Sequence, residues 1–144
     1  HARFSATSRE YEYHLVKKYS PLTRHYAAEL MWDINSDLLN DCAKILLGEH
    51  DFTSFCKNTA EVKNKICKIF EVEWKDTGRK FIFRIQGNRF LQHMVRYLVG
   101  TMLEVARGRY EVRDFQDLVD VSKTEAVVVR APEQGLFLKK VCYE

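Results

Sequence analysis

Arg89, Gln92, His93 and Arg96 recur at spacings of three and four, the separation that brings side chains to one side of a helix. Two guanidinium cations, an amide and an imidazole facing one way make a basic polar face, on which His93 could move a proton. Gly100 extends the row by a turn. A glycine inside a helix costs about 0.5–1 kcal/mol relative to alanine, so this position predicts close approach by another backbone or by a ligand. The same pattern also fits a solvated basic face with one tolerated glycine. Tyr11 and Tyr13 form a second set, on one face of a strand with Glu10, Glu12 and His14 on the other. Aromatic rings on a sheet can stack on a nucleobase, or they can be core and cross-strand partners. Lysines and arginines interleave with aromatics at Arg3, Arg9, Lys17, Lys18 and Arg24, and recur at Lys57, Lys63, Lys65 and Lys68. That suits phosphate contact as well as plain solvation.

Other chemistries find little support. His50-Asp51 and His93 are acid–base groups without a nucleophile pattern beside them. The chain holds no GxSxG, HExxH, glycine-rich phosphate loop or EF-hand. Cys42, Cys56, Cys67 and Cys142 form no CxxC pair, which predicts free cytosolic thiols rather than a zinc site or disulfide framework. A formal charge of +3 permits a nucleic-acid partner without arguing for one. Apolar and charged fractions of 46% and 30% match ordinary soluble globular proteins. The longest apolar-rich stretch, Phe90 to Ala106, is broken by Gln92, His93, Arg96 and Glu104, so no membrane span is expected.

The elements that must hold these residues follow from periodicity. Alternation predicts a strand from about Ser8 to Lys17 and a short extended segment at Ala27 to Trp32. Asn35 or Ser36 caps a helix in which Leu38, Leu39, Cys42, Ile45 and Leu46 fall at helical spacing, with Gly48 as its stop. His50 to Phe55 reads as an irregular segment with two aromatic anchors. Ile66 to Lys75 and Lys80 to Gln86 alternate around Asp76-Thr77-Gly78, a hairpin signal. A long helix is predicted from about Asn88 to Arg107, with an apolar stripe of Phe90, Met94, Leu98, Met102 and Val105. Val112 to Val121 is a second amphipathic helix, Ala126 to Arg130 is β-rich, 131–135 is a turn-rich loop and Leu136 to Tyr143 is a closing strand. The order predicts one α+β domain, a mixed and mostly antiparallel sheet with helices on one face, ferredoxin-like in topology.

Four segments together resemble the TruA-type tRNA pseudouridine synthases. His1 to Tyr13, HARFSATSREYEY, is similar to that family's HARFSAT-x-R-x-Y-x-Y, and Leu47 to Phe55, LGEHDFTSF, to a second segment. Gly87 to Gly100, GNRFLQHMVRYLVG, resembles GN-x-FLHHMVRNIVG, and Ala131 to Leu138, APEQGLFL, is the fourth. They stand in the family's order along nearly the whole chain. Arg89 replaces a small residue, Gln92 the first histidine of the pair, Tyr97 an asparagine, and Cys67 stands where arginine is common; no role is carried onto Cys67.

The resemblance implies isomerisation of uridine to pseudouridine in the anticodon arm of tRNA, without cofactor or metal, by a cytoplasmic homodimer. It makes Tyr11 the stacking partner of the target uracil and a proton-transfer candidate. Arg96 becomes the partner of the catalytic aspartate and Leu136 an apolar wall of the uracil pocket. Arg89 and His93 join them as substrate-binding candidates, and Gly100 is expected along the active-site cleft. The family's nucleophile lies in an RTDAGVHA-like motif upstream of HARFSAT, and no such motif occurs here. The expectation is therefore a C-terminal domain that begins just after the half holding the nucleophile and is inactive alone. The rival expectation is a non-catalytic RNA-binding or assembly module on a ferredoxin-like sheet.

Overall fold

The computed structural model describes residues 6–57 and 63–143; His1 to Ser5 of the first motif, with Arg3, lie outside them. Six strands and three helices follow one another as β1 (Ala6–Val16), β2 (Ala28–Glu29), α1 (Asp37–Ile45), β3 (Gly48–Asp51), β4 (Ile66–Asp76), β5 (Lys80–Gly87), α2 (Met94–Ala106), α3 (Val112–Asp120) and β6 (Leu136–Tyr143). The fold is α+β, with an open, mostly antiparallel sheet. β1 pairs antiparallel with β5 on one side; its other side pairs antiparallel with β6 and, at its end, parallel with β2. β5 pairs with β4, and β4 with β3. Taking β1, α1, β4, β5, α2 and β6 alone, the order β6-β1-β5-β4 is the ferredoxin-like arrangement expected from the sequence.

Alternation along β1 and β5 decides which face is covered. Tyr13 and Leu15 of β1, with Phe81, Phe83 and Ile85 of β5, are buried against the helices. The opposite face carries charge: Arg84 pairs with Glu10, Glu71 and Glu73, and His14 with Glu12. Gly78, at φ +92°, turns the β4–β5 hairpin, and Asp76 accepts hydrogen bonds there from the Gly78 amide and from Lys17. At α1, Ser36 holds the cap position without a side-chain bond, while the Asn35 side chain accepts from the Asp37 amide. Glu111 and Asp114 make a reciprocal capping box at the start of α3. None of the helices among the described residues is long and apolar enough to cross a membrane.

Three sequence expectations need correction. The long helix starts at Met94, not Asn88, because His93 adopts the left-handed conformation (φ 61°, ψ 5°) and breaks the run. Ahead of it, Asn88 exchanges hydrogen bonds with the backbone of Lys68, tying residues 88–93 to β4 as an irregular segment. Arg89, Gln92, His93 and Arg96 therefore do not share a helix face, and Phe90 leaves the helical stripe. Gly48–Asp51, read as a helix stop and an irregular segment, is a strand held by β4 alone. Ala126 to Arg130, read as β-rich, joins no sheet. It crosses α2 instead, with the Val129 amide donating to Thr101 Oγ1 and the Ala131 amide to the Arg96 carbonyl.

Candidate active site

β1, the segment before α2 and the start of β6 converge on a cleft of about 180 Å³. Tyr11, Phe90, His93 and Leu136 line it, with Leu91, Gln92, Met94 and Val95 completing the wall. Tyr11 reaches it because alternation puts it on the same face as the buried Tyr13, but two residues nearer the sheet's end, where its ring is half covered. The Phe90 ring meets it edge-on, with centroids 5.1 Å apart and planes at 84°, a favourable aromatic geometry that fixes the tyrosine plane. The Tyr11 hydroxyl has no hydrogen-bond partner among the described residues, which leaves it free to meet a ligand. Leu136 opens β6 directly across from Tyr13, so its side chain stands on the same face of the sheet. The left-handed turn at His93 exposes its imidazole at the cleft's rim. A non-glycine residue in that conformation costs about 1–3 kcal/mol and marks a position the surroundings hold in place.

Arg96 lies in the first turn of α2, three residues beyond His93; it is half-buried and is not among the residues that line the cleft. Its Nε donates to the Ala131 carbonyl at 2.8 Å. The terminal nitrogens Nη1 and Nη2 bond no group among the described residues, a fork left open for a planar anion. Its charge also reaches the Tyr13 phenol. Burial pushes that phenol far above its ordinary range, more strongly than the Arg96 guanidinium lowers it, so Tyr13 stays protonated and donates to the Pro132 carbonyl at 2.6 Å.

The remaining sequence candidates fall elsewhere. Arg89 does not line the cleft; its Nη1 donates to the carbonyls of Asn64 and Ile66 at 2.8 and 3.0 Å, along the approach to β4. Gly100 is not on the cleft but under the strap of residues 127–132, where a Cβ would overlap the Val129 carbonyl. Of the basic residues, Lys17 is paired to Asp76, and Lys57 donates to the Ala126 carbonyl. His50 Nε2 donates to the Leu47 carbonyl, with its ring beside Phe52. Cys42 and Cys67 are buried, and burial first of all raises their thiols to about 12 and about 11; neither is a nucleophile at neutral pH. No group of three or more metal-ligating side chains occurs among the described residues.

Phe90, with Leu91, Met94 and Val95, lines the cleft without having been a site candidate in the sequence. Its period matches the α2 stripe, and only the Gly87-Asn88 pair ahead of it hints that the chain has not yet become helical.

A profile described as tRNA pseudouridine synthase matches residues 42–144, more than half the chain. The chain belongs to the tRNA pseudouridine synthase family. It is 38% identical over 144 residues to a tRNA pseudouridine synthase A of Exiguobacterium sp., aligned over all of this chain and 58% of the relative. The protein of that name from Chlorobium limicola is 42% identical over 143 residues, covering 99% of the chain and 59% of the relative. That of Bacillus subtilis is 37% identical over 146 residues, covering 100% and 59%. The chain thus spans a little under three fifths of the curated relatives it matches.

Proposed function

We propose that the chain is the C-terminal domain of a tRNA pseudouridine synthase, the part that receives the target uracil and steadies the nucleophile. The observation that carries this reading is the convergence of Tyr11, Leu136 and His93 on one cleft, with the open fork of Arg96 one turn along α2. A cleft of about 180 Å³ is small for a drug-like ligand and suits a single planar base. To enter it, the uridine must leave its stack, as base-modifying enzymes require. Tyr11 then offers its ring to the uracil and Leu136 an apolar wall, while His93 meets polar edges at the rim.

The nucleophile is an aspartate supplied from outside these 144 residues, which hold no RTDAGVHA-like motif. The Arg96 fork pairs with that carboxylate and favours its charged form. The aspartate attacks, the glycosidic C–N bond breaks, and the ring reattaches through C5; the carboxylate is then released, C5 loses its proton and N1 gains one. Substrate and product are isomers, so the balance needs no oxidant, reductant or group donor. The anticodon arm is the proposed target, held by a cytoplasmic homodimer, in line with the family resemblance.

The test is direct. The full-length protein should convert uridine to pseudouridine in tRNA transcripts, and Tyr11→Ala should lower kcat by at least about 100-fold, the scale of a lost positioning contact at a reacting centre. Full activity of Tyr11→Ala would refute the assignment of the cleft.

A further inference from the structure

The strap 127–132 and the turn after it are fastened at four residues before they deliver Leu136. Val129 bonds to Thr101, and Gly100 leaves no room for a side chain beneath the strap. Ala131 is bound at both ends by Arg96, its amide to the Arg96 carbonyl at 3.0 Å and its carbonyl to Nε at 2.8 Å. Pro132 accepts the Tyr13 hydroxyl at 2.6 Å. Gly135 lies flat on the Tyr13 ring, where a Cβ would come within 2.6 Å of Cζ and 2.8 Å of the His14 carbonyl. Tyr13 is fully buried and faces Leu136 across the ladder. A phenylalanine at this position would fill the same space, so burial alone does not explain the hydroxyl.

We propose that Tyr13 is a positioning residue: its hydroxyl and ring hold the Ala131–Leu136 segment so that Leu136 keeps its place in the cleft wall and the Arg96 guanidinium, bonded to Ala131, keeps its place three residues beyond His93. The proposal rests on the uracil-cleft reading above. One tyrosine touches the segment at two points, the Pro132 carbonyl and the Gly135 backbone, and the segment in turn fixes Arg96 Nε. Loss of the hydroxyl releases the Pro132 carbonyl and loosens both the apolar wall and the arginine that leans on it. Because the phenol stays protonated, Tyr13 acts only as a donor and passes no proton.

The test uses the full-length enzyme carrying Tyr13→Phe, Leu136→Ala and the pair together. Tyr13→Phe should lower kcat about tenfold or more, as sub-ångström misplacement does, with the KM for tRNA changed less than about threefold, the signature of an interaction realised in the transition state. The double variant should lose little beyond the larger single loss, since the two residues act through one contact. Wild-type kcat in Tyr13→Phe, or losses that multiply in the double variant, overturns the proposal. A Leu136→Ala enzyme with unchanged kcat instead overturns the uracil-cleft reading beneath it. Should Tyr13→Phe fail to fold, Gly135→Ala displaces the same segment from the other side and must show the same kcat loss; full activity there contradicts the proposal too.

Discussion

His93 joins stability and function in one side chain. It is the only non-glycine residue with positive φ among the described residues, and it sits at the rim of the cleft at the start of α2. Glycine adopts that conformation without the Cβ penalty. His93→Gly should therefore leave stability unchanged or raise it by up to about 1 kcal/mol in chemical denaturation. Activity should fall all the same, because the imidazole proposed to meet the substrate's polar edge is gone. A His93→Gly enzyme that is both as stable and as active as the parent would remove His93 from the site. Tyr11 and Tyr13 make the complementary point. Two residues apart on one face, they differ in that one ring is half open with a free hydroxyl, while the other is sealed and hydrogen-bonded. The Y-x-Y pattern puts both on that face; only the position of α2 and β6 decides which one meets a ligand.

At the scale of elements, Gly100 illustrates packing overriding local propensity. Alanine in a helix interior ordinarily stabilises relative to glycine by about 0.5–1 kcal/mol. Here a Cβ would collide with the backbone of Val129, so Gly100→Ala should destabilise by about 1–3 kcal/mol, the usual cost of overpacking. Equilibrium unfolding checks the sign, and a stabilised Gly100→Ala protein would contradict the strap's docking. In the sequence close approach at Gly100 stood beside a tolerated glycine on a solvated face, and the spacing could not choose between them or show that the strap's own backbone makes the approach. Much of the sheet was legible. β1 and the β4–β5 hairpin alternate, and α1 and α3 carry clear amphipathic periods, because each buries one face; β6 was read as a closing strand without such alternation. The start of α2 was not legible, since Phe90 and Leu91 face the cleft and mimic a helical stripe while the chain is still irregular. Val127 to Val129 have strand-forming side chains, yet they join no neighbouring strand and the Val129 amide is spent on Thr101 of α2. The short β3, Gly-Glu-His-Asp, has no hydrophobic alternation and exists through its ladder with β4. Leu136 and the role given to Arg96 entered through the resemblance; periodicity had no means of bringing β6 to the start of α2.

For the whole molecule, the sheet has one face buried by helices and one lined with paired charges. β6 forms part of an open edge with Leu138 and Tyr143 exposed. The chain matches only about 58% of a relative such as that of Exiguobacterium sp., and its cleft lacks a carboxylate nucleophile among the lining residues. The 144 residues alone should form no pseudouridine in tRNA, although retained tRNA binding would weaken steeply with added salt, as counterion release demands. Turnover by these residues alone would show that the nucleophile lies within them and would overturn the division of labour proposed here.

The central claim is that the Arg96 fork serves the chemistry at this cleft and not the grip on the nucleic-acid backbone. The measurement that reaches it most directly compares kcat and the tRNA Kd of Arg96→Ala with those of the unchanged full-length enzyme at fixed salt. A loss of at least about 100-fold in kcat with Kd altered less than about threefold is the predicted result, since the arginine acts on the developing reaction and not on ground-state binding. Equal losses in kcat/KM and affinity, with kcat intact, would assign Arg96 to phosphate contact and contradict the account.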